Sequence, residues 1–298
     1  MSSLARKKRN FIIVALIIPT VLLICFVVFP AIDLFKMSFT NWDGISASSD
    51  FIWFDNYKSM FHNVDLWQSL RNNAVYFVVH LCMIPVELAF AVLLTSRLRA
   101  AKFYKTMVFM PYIINGVAIS YAFSYFFSPV NGAFDAILKA LHMGMLSGHG
   151  WLSDPGIVNF VLAFVSLWRF SGYHVILFMA ALQSLPQDVQ EAARVDGAGP
   201  WQCFCRITLP GLKGTAFLTA VLSVINSFKV FREAYLVAGD YPHESIYMLQ
   251  HLFNNWFVSL DIQKMSAASV MVEAAVLIPV LACLGAFRRK HPKRSSTD

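Results

Sequence analysis

The sequence is poor in charge. Asp, Glu, Lys and Arg together supply 14% of its 298 residues, against 57% hydrophobic side chains and 27 phenylalanines. One soluble core cannot hide that much apolar surface, so composition excludes a soluble domain and points to the lipid bilayer. Cysteine is scarce as well. The five (Cys25, Cys82, Cys203, Cys205, Cys283) fall in apolar runs or in one polar loop and give no disulfide framework. Cys203 and Cys205 form a C-x-C pair, but no further Cys or His stands near enough to complete a tetrahedral site; free thiols and no metal are expected. The chain contains no G-x-x-x-x-G-K-[ST] phosphate loop, which excludes ATP hydrolysis of the P-loop kind by this chain itself. Neither paired carboxylates nor a nucleophile with a histidine stand out, so no residue is assigned a catalytic role.

Long apolar runs are what the chain has in plenty. Six spans can be drawn, at about 11 to 33, 71 to 96, 107 to 128, 157 to 183, 213 to 237 and 265 to 287. Several reach the roughly 20 residues that cross a hydrocarbon core. The first follows "RKKRN" like a secretory signal, yet it is too long for an h-region and lacks a small-x-small cleavage site, so a retained helix is expected. Basic residues are segregated. Arg6, Lys7, Lys8 and Arg9; Arg97, Arg99, Lys102 and Lys105; Arg194, Arg206 and Lys213; and Arg288, Arg289, Lys290, Lys293 and Arg294 put sixteen of the 24 on one side of the six spans. The positive-inside rule then predicts an all-α membrane protein with six transmembrane helices and both termini cytosolic. It also gives the net charge of +7 a topological meaning, with no nucleic-acid partner. The chain reads as a single transmembrane domain, 1–298, with outer segments at about 37 to 70 and 129 to 156 punctuated by the turn signals "NWDG" and "SPVNG".

One polar loop, 184–212, interrupts the apolar pattern. Ser184 and Gln187 have capping-box spacing and Pro186 suits a first helical turn, predicting a short helix with an apolar stripe of Leu185, Val189, Ala192 and Ala193. Gly197 suits a left-handed position after it. Gly199-Pro200 starts a second short helix carrying Trp201 and Phe204, and "TLP" is expected to end it. Two amphipathic helices need something over their stripes: lipid headgroups, or a groove on a cytosolic partner.

The loop carries the run Glu191-Ala192-Ala193, three residues, Gly197, nine residues, Ile207, one residue, Leu209-Pro210. This resembles the cytoplasmic-loop signature of the membrane subunits of ATP-binding-cassette (ABC) importers. In fuller form it is similar to sugar permeases of the maltose and glycerol-3-phosphate type. "SFTNWDG" with "FDNYKSMF", and "NSFKVFREAYLVAGDYPHESIYMLQHLFNN", extend the likeness, with "GDYP" at 239–242 where many relatives have a "GGP" element. The resemblance implies a type I ABC importer transmembrane domain in the cytoplasmic membrane of a prokaryote. The implied partners are a second permease, two cytosolic ATPases that bind the Mg-ATP, an extracytoplasmic binding protein and a sugar. No cofactor is implied for this chain. The loop would be the coupling helix, with Glu191, Ala192, Ala193, Arg194, Gly197, Trp201, Ile207, Leu209 and Pro210 as its working residues.

Polar residues inside the spans complete the set of candidates. In the fifth span Ser223, Asn226, Ser227 and Val230 share roughly one face near mid-membrane, where alcohols and amides can bond sugar hydroxyls; in the fourth, Trp168, Phe170 and Tyr173 offer faces for stacking on a pyranose ring. The resemblance places the sugar pocket on these two helices. Helix-to-helix bonding by Ser and Asn and space filling by aromatics is the alternative. Lys229, Arg232 and Glu233 lie higher, toward the outer mouth, and either pair with one another or meet an acidic group on the substrate. Glu87 and Glu273 lie within spans, where a carboxylate either bonds a neighbouring helix or relays protons. Two other readings remain: a permease of the same class for a polyol or glycerophosphodiester, and an ion-coupled secondary transporter. The second would call for Gly- or Pro-broken half-helices in matching repeats, and the sequence shows no such pattern.

Overall fold

The computed structural model of the chain describes residues 3–96, 100–229, 231–239 and 242–290, with residues 3–6, 229, 233 and 286–290 described by backbone alone. In hydrocarbon a peptide group has no water to bond, so an apolar chain satisfies its backbone internally by forming helices. The described residues contain no strand, only one isolated bridge between Thr40 and Phe51.

The helices are α1 (Ser3–Leu23, continuing through a π turn at Ile24–Val28 into Phe29–Met37), α2 (Asp55–Phe61), α3 (Val64–Thr95), α4 (Ala101–Ile113), α5 (Gly116–Phe126) and α6 (Ala133–Ala140). They continue as α7 (Val158–Gln183), α8 (Gln187–Val195), α9 (Pro200–Gly211), α10 (Lys213–Lys229), α11 (Phe231–Ala238), α12 (Leu249–Val258) and α13 (Ile262–Lys290). Four of them, α1, α3, α7 and α13, are long and apolar enough to cross a membrane; counting the bent pairs α4–α5 and α9–α10 as one span each gives up to six.

The expected third span, 107 to 128, is not one helix. α4 and α5 meet at 99°. Ile114 and Asn115 are extended (ψ 137° and 134°), and the Asn115 side chain accepts a hydrogen bond from the Val117 N–H at 2.9 Å, starting a new helix at Gly116. An Asn-Gly dipeptide inside an apolar run was the signal for this break.

Contacts divide the chain into two compact units, one of Met1–Leu66 with Phe253–Asp298 and one of Trp67–Leu252. In the first, the "NWDG" segment closes on itself: Asp43 accepts from the N–H of Ile45 (3.0 Å) and of Ser46 (2.7 Å) and from the Ser46 hydroxyl (2.7 Å). The Ser46 hydroxyl, followed by the backbone donors of Ser46 and Ile45, holds the Asp43 carboxyl down at about 2. Gly44 has φ +85°, and a Cβ there would meet Ile262 at the start of α13 at 2.8 Å. Asn56 of α2 donates to the carbonyls of Ser38 (3.0 Å) and Thr40 (2.8 Å), fastening α2 to the end of α1.

The second unit is organised around α7. Its inner face supplies Val158, Leu162 and Ala163 to a cluster with Tyr76 and Ala234, and Val175, Phe178 and Met179 to another with Ala91 and Leu94. Membrane helices gain little from the hydrophobic effect against one another, so close backbone approach matters more. α7 and α4 achieve it at Gly172: a Cβ on this residue would lie 1.9 Å from the Val108 carbonyl oxygen and 2.8 Å from its carbon. Backbone cannot swing aside as a side chain can. Gly172→Ala is therefore expected to force the two helices apart and destabilise the fold by about 1–3 kcal/mol, the usual cost of overpacking. Thermal unfolding in detergent checks this, and an unchanged midpoint would contradict the close crossing.

Candidate functional site

The polar loop folds as two short helices around a glycine turn. α8 begins at Gln187 with Pro186 before it, and no side chain caps it. The expected Ser184–Gln187 capping box is absent, because Ser184 closes the end of α7 instead, its hydroxyl donating to the Ala181 carbonyl at 2.8 Å. At the other end Gly197 has φ +83°, its N–H donates to Arg194 O (3.1 Å), and the Ala198 N–H donates to Ala193 O (2.9 Å). Those two bonds make a Schellman motif. α9 follows, with the Gln202 side chain accepting from the Gly199 N–H at 3.1 Å.

"TLP" does not end α9. A π turn over Phe204–Thr208, closed by the Leu209 N–H on Phe204 O, carries the helix through Pro210 to Gly211, and the chain bends by 62° into α10. The wider turn absorbs the missing proline donor. Glu191, Ala192 and Arg194 are exposed, Ala193, Ile207 and Pro210 half-buried, and Leu209 exposed. Val195 and Trp201 keep 88% and 74% of their surface uncovered, with Trp201 stacked on Phe204. A groove of about 590 Å³ between the loop and the end of α3 is lined by Thr95, Arg194, Pro200, Cys203 and Phe204 among others. All five cysteines are free thiols.

A larger cavity, about 700 Å³, opens where the third span breaks. Tyr112 and Val117 line it from α4 and α5, Arg169 and Phe170 from α7, Phe228 from α10, and Arg232 and Tyr235 from α11. The Arg169 guanidinium lies over the Phe170 ring at 5.0 Å. Tyr112 stacks on Tyr173 with centroids 4.8 Å apart and planes at 12°. The three aromatics picked from the fourth span thus part company. Phe170 lines the cavity and Tyr173 backs its Tyr112 wall, while Trp168 points to another side of α7, edge-on to Phe123 and along a smaller cleft of about 280 Å³.

The serines and the asparagine of the fifth span are buried, and none is among the described cavity-lining residues. Ser223 donates to Thr219 O (2.9 Å) and Ser227 to Val224 O (2.6 Å), both within α10. Asn73 of α3 donates to Ser227 O at 3.2 Å. Asn226 reaches α7, where its Nδ2 is 3.5 Å from His174 Nε2. His174 Nδ1 sits 3.1 and 3.0 Å from the two oxygens of Glu87 on α3, with both side chains buried. A carboxylate only accepts, so Nδ1–H donates to Glu87 and leaves Nε2 to accept from Asn226. Three helices meet in one bonded set. Glu273, by contrast, is exposed on α13. Val230 and the side chains of Lys229 and Glu233 lie outside the described residues.

Residues 8–294 match the family model of the binding-protein-dependent transport system inner membrane component. The chain belongs to this family. The permease is 29% identical over 269 residues to the probable ABC transporter permease protein YurN of Bacillus subtilis (strain 168), covering 89% of this chain and 91% of that one. It is 26% identical over 284 residues to the diacetylchitobiose uptake system permease protein NgcF of Streptomyces coelicolor, covering 91% and 80%. Its fold matches a chain of the crystal structure of a bacterial ABC transporter involved in the import of the acidic polysaccharide alginate, with a TM-score of 0.78, 22% identity, and 98% and 100% of the two chains covered. Similarity thus runs through nearly the whole permease.

Two features of the permease escaped the reading of the residues. Arg169 stands between Trp168 and Phe170, and an arginine inside an apolar span is itself a sign of a functional interior. His174 was the available partner for Glu87 one helix away. Removing that partner leaves a buried carboxylate, so His174→Ala is expected to cost about 3–5 kcal/mol, while Glu87→Leu combined with His174→Leu recovers most of the loss. Unfolding midpoints of the three proteins in detergent check this; equal midpoints for His174→Ala and the parent would contradict the pairing.

Proposed function

We propose that this permease spans the cytoplasmic membrane of a prokaryote six times, with both termini in the cytosol, as one half of the pathway of an ATP-driven carbohydrate importer. A second, similar permease completes the pathway. Two cytosolic ABC ATPases hold the Mg-ATP, one of them docking on loop 184–212, and an extracytoplasmic binding protein delivers an oligosaccharide or glycoside. This chain moves its substrate without making or breaking bonds in it.

The observation that carries the coupling role is the uncovered surface around the Schellman turn: Glu191 and Arg194 at its rim, Val195 and Trp201 exposed. Apolar side chains held out on a rigid turn suit a groove on a partner. The loop is also tied to both walls of the 700 Å³ cavity, since α7 runs into it and α9 runs from it into α10, and these helices contribute Arg169, Phe170 and Phe228 to the lining. A push on the loop therefore displaces both walls. Aromatic faces along the cavity suit sugar rings, and the relative NgcF is named for uptake of diacetylchitobiose, a sugar. A proton-driven transporter needs a carboxylate free to load and unload; of the two within spans, Glu87 is buried against His174, which leaves Glu273 alone for that role.

The test is purification of the chain from its native membrane in mild detergent with identification of what stays bound. A second permease and a P-loop ATPase are expected. In the reconstituted importer Gly197→Val forces a β-branched residue to φ near +83°, a strain of about 1–3 kcal/mol, and is expected to abolish ATP-driven uptake, while Gly197→Asn keeps most of it. A chain that purifies alone and carries solute into liposomes without ATP would sink the proposal.

A further inference from the structure

One carboxylate stands unpaired in the middle of a span. Between Lys264 and Arg288 the sequence of α13 carries a single charged residue, Glu273, eleven residues from one end of the apolar stretch Ile262–Gly285 and twelve from the other. At 1.5 Å per residue it lies about 16 Å from the nearer end, close to the bilayer midplane. The first turns of α13 are covered: Ser266, Ala267 and Ala268 are fully buried, and the helix packs on the Phe29–Met37 part of α1 and on α2. At Glu273 that cover ends. Its side chain is exposed, and Leu277 and Leu281 continue the exposed stripe at four-residue steps. Among the described residues Glu273 has no hydrogen bond and no ion pair, the cation Lys264 being held by Asp261 at 3.0 Å. It lines none of the cavities described above.

We infer that the face of α13 bearing Glu273, Leu277 and Leu281 is a contact with the second permease, which meets the carboxylate with a Lys, Arg or His side chain at the same depth. This rests on the pairing of permeases under "Proposed function" and goes beyond it by assigning a face and its chemistry. A carboxyl group in hydrocarbon is costly when ionised, for lack of solvation, and when protonated, for lack of an acceptor for its O–H, so lipid is the wrong cover for this stripe. Cytosolic ATPases and an extracytoplasmic binding protein end at the membrane surfaces and do not reach mid-span. A second membrane-embedded chain does. Charge complementarity fixes what that chain presents: a cationic donor opposite Glu273, with apolar side chains opposite Leu277 and Leu281. One polar pair inside an apolar seam also sets the register of the two helices, as a single polar residue does in a coiled coil. A carboxylate held in this way does not load and unload protons.

Two measurements on the complete importer complex test the face. In the first, Glu273 stays in place while the photo-cross-linker p-benzoylphenylalanine replaces Leu277 or, separately, Leu281, and native membranes are irradiated before solubilisation. Cross-links to the second permease are expected, mapped by mass spectrometry to a membrane-spanning segment of it that carries a Lys, Arg or His. In the second, complexes with Glu273→Leu, Glu273→Gln or Glu273→Asp are purified in mild detergent and the amount of second permease retained is compared. Glu273→Leu strands the partner's cation and is expected to lower retention at least about tenfold, with Glu273→Asp keeping most of it and Glu273→Gln falling between. An unfolding midpoint equal to the parent's shows that the Glu273→Leu chain is folded; should it not fold, the cross-links, made with Glu273 present, decide. Cross-links only to lipid or within this chain, or full retention of the second permease by folded Glu273→Leu, would overturn the face and leave the pairing of permeases standing. A parent complex that holds no second permease would overturn the pairing, and the face with it.

Discussion

The arrangement of the second unit depends on the contact between Gly172 and the Val108 carbonyl. Because no side chain separates them, α7 and α4 cross with their backbones touching. That distance decides what can happen on either side of the crossing. One residue along α7, Tyr173 stacks on Tyr112 of α4; two residues along, His174 reaches Glu87 of α3. In the other direction Arg169 and Phe170 enter the cavity. A methyl group at the crossing would move all four side chains at once, since they share one rigid helix.

Polar side chains inside the bundle do two different jobs, and burial tells them apart. Ser223 and Ser227 bond carbonyls of their own helix, and Asn226 bonds a histidine on the next, so their hydrogen-bonding capacity is used within the protein. Such bonds hold membrane helices in register, where lipid gives helices no hydrophobic reason to associate. Arg232 is exposed on the cavity wall and Arg169 half-buried there. A charged group is tolerated inside a membrane protein where it faces a water-filled space or a partner, so charge, more than hydroxyl content, marks the wall of the cavity.

This distinction also explains what could be read from the residues. The glycine turn of the loop was legible, because only a left-handed conformation makes sense of Gly197 between two amphipathic segments, and φ is +83° there. The apolar runs were legible as helices for the same backbone reason that governs any chain in lipid. The helix ends were not. Ser184 can cap α8 or close α7, and local spacing favoured the first while the structure has the second. The polar face of α10 was visible as a periodicity, yet periodicity gives a direction and not an occupant: α3 and α7 hold bonds to that face. Arg169 belongs to no local motif, and its place on a cavity wall depends on helices distant in sequence that come together only in the fold.

The break between α4 and α5 is the feature with the largest consequence. An unbroken apolar helix from 107 to 128 would satisfy every backbone group, so bending it by 99° gives up hydrogen bonds that lipid cannot replace. No proline sits at the bend; Pro111 lies within α4, and Ile114 and Asn115 simply turn extended. Asn115 returns one bond by capping Val117. Irregular backbone at membrane depth persists only where protein or a polar cavity surrounds it, and the bend lies against the cavity that holds Arg169 and Arg232. The loss of helix and the gathering of positive charge thus occur at one place. An uninterrupted helix would set a side-chain-bearing turn where Gly116 now leaves room, and the two guanidinium groups would have nowhere to meet.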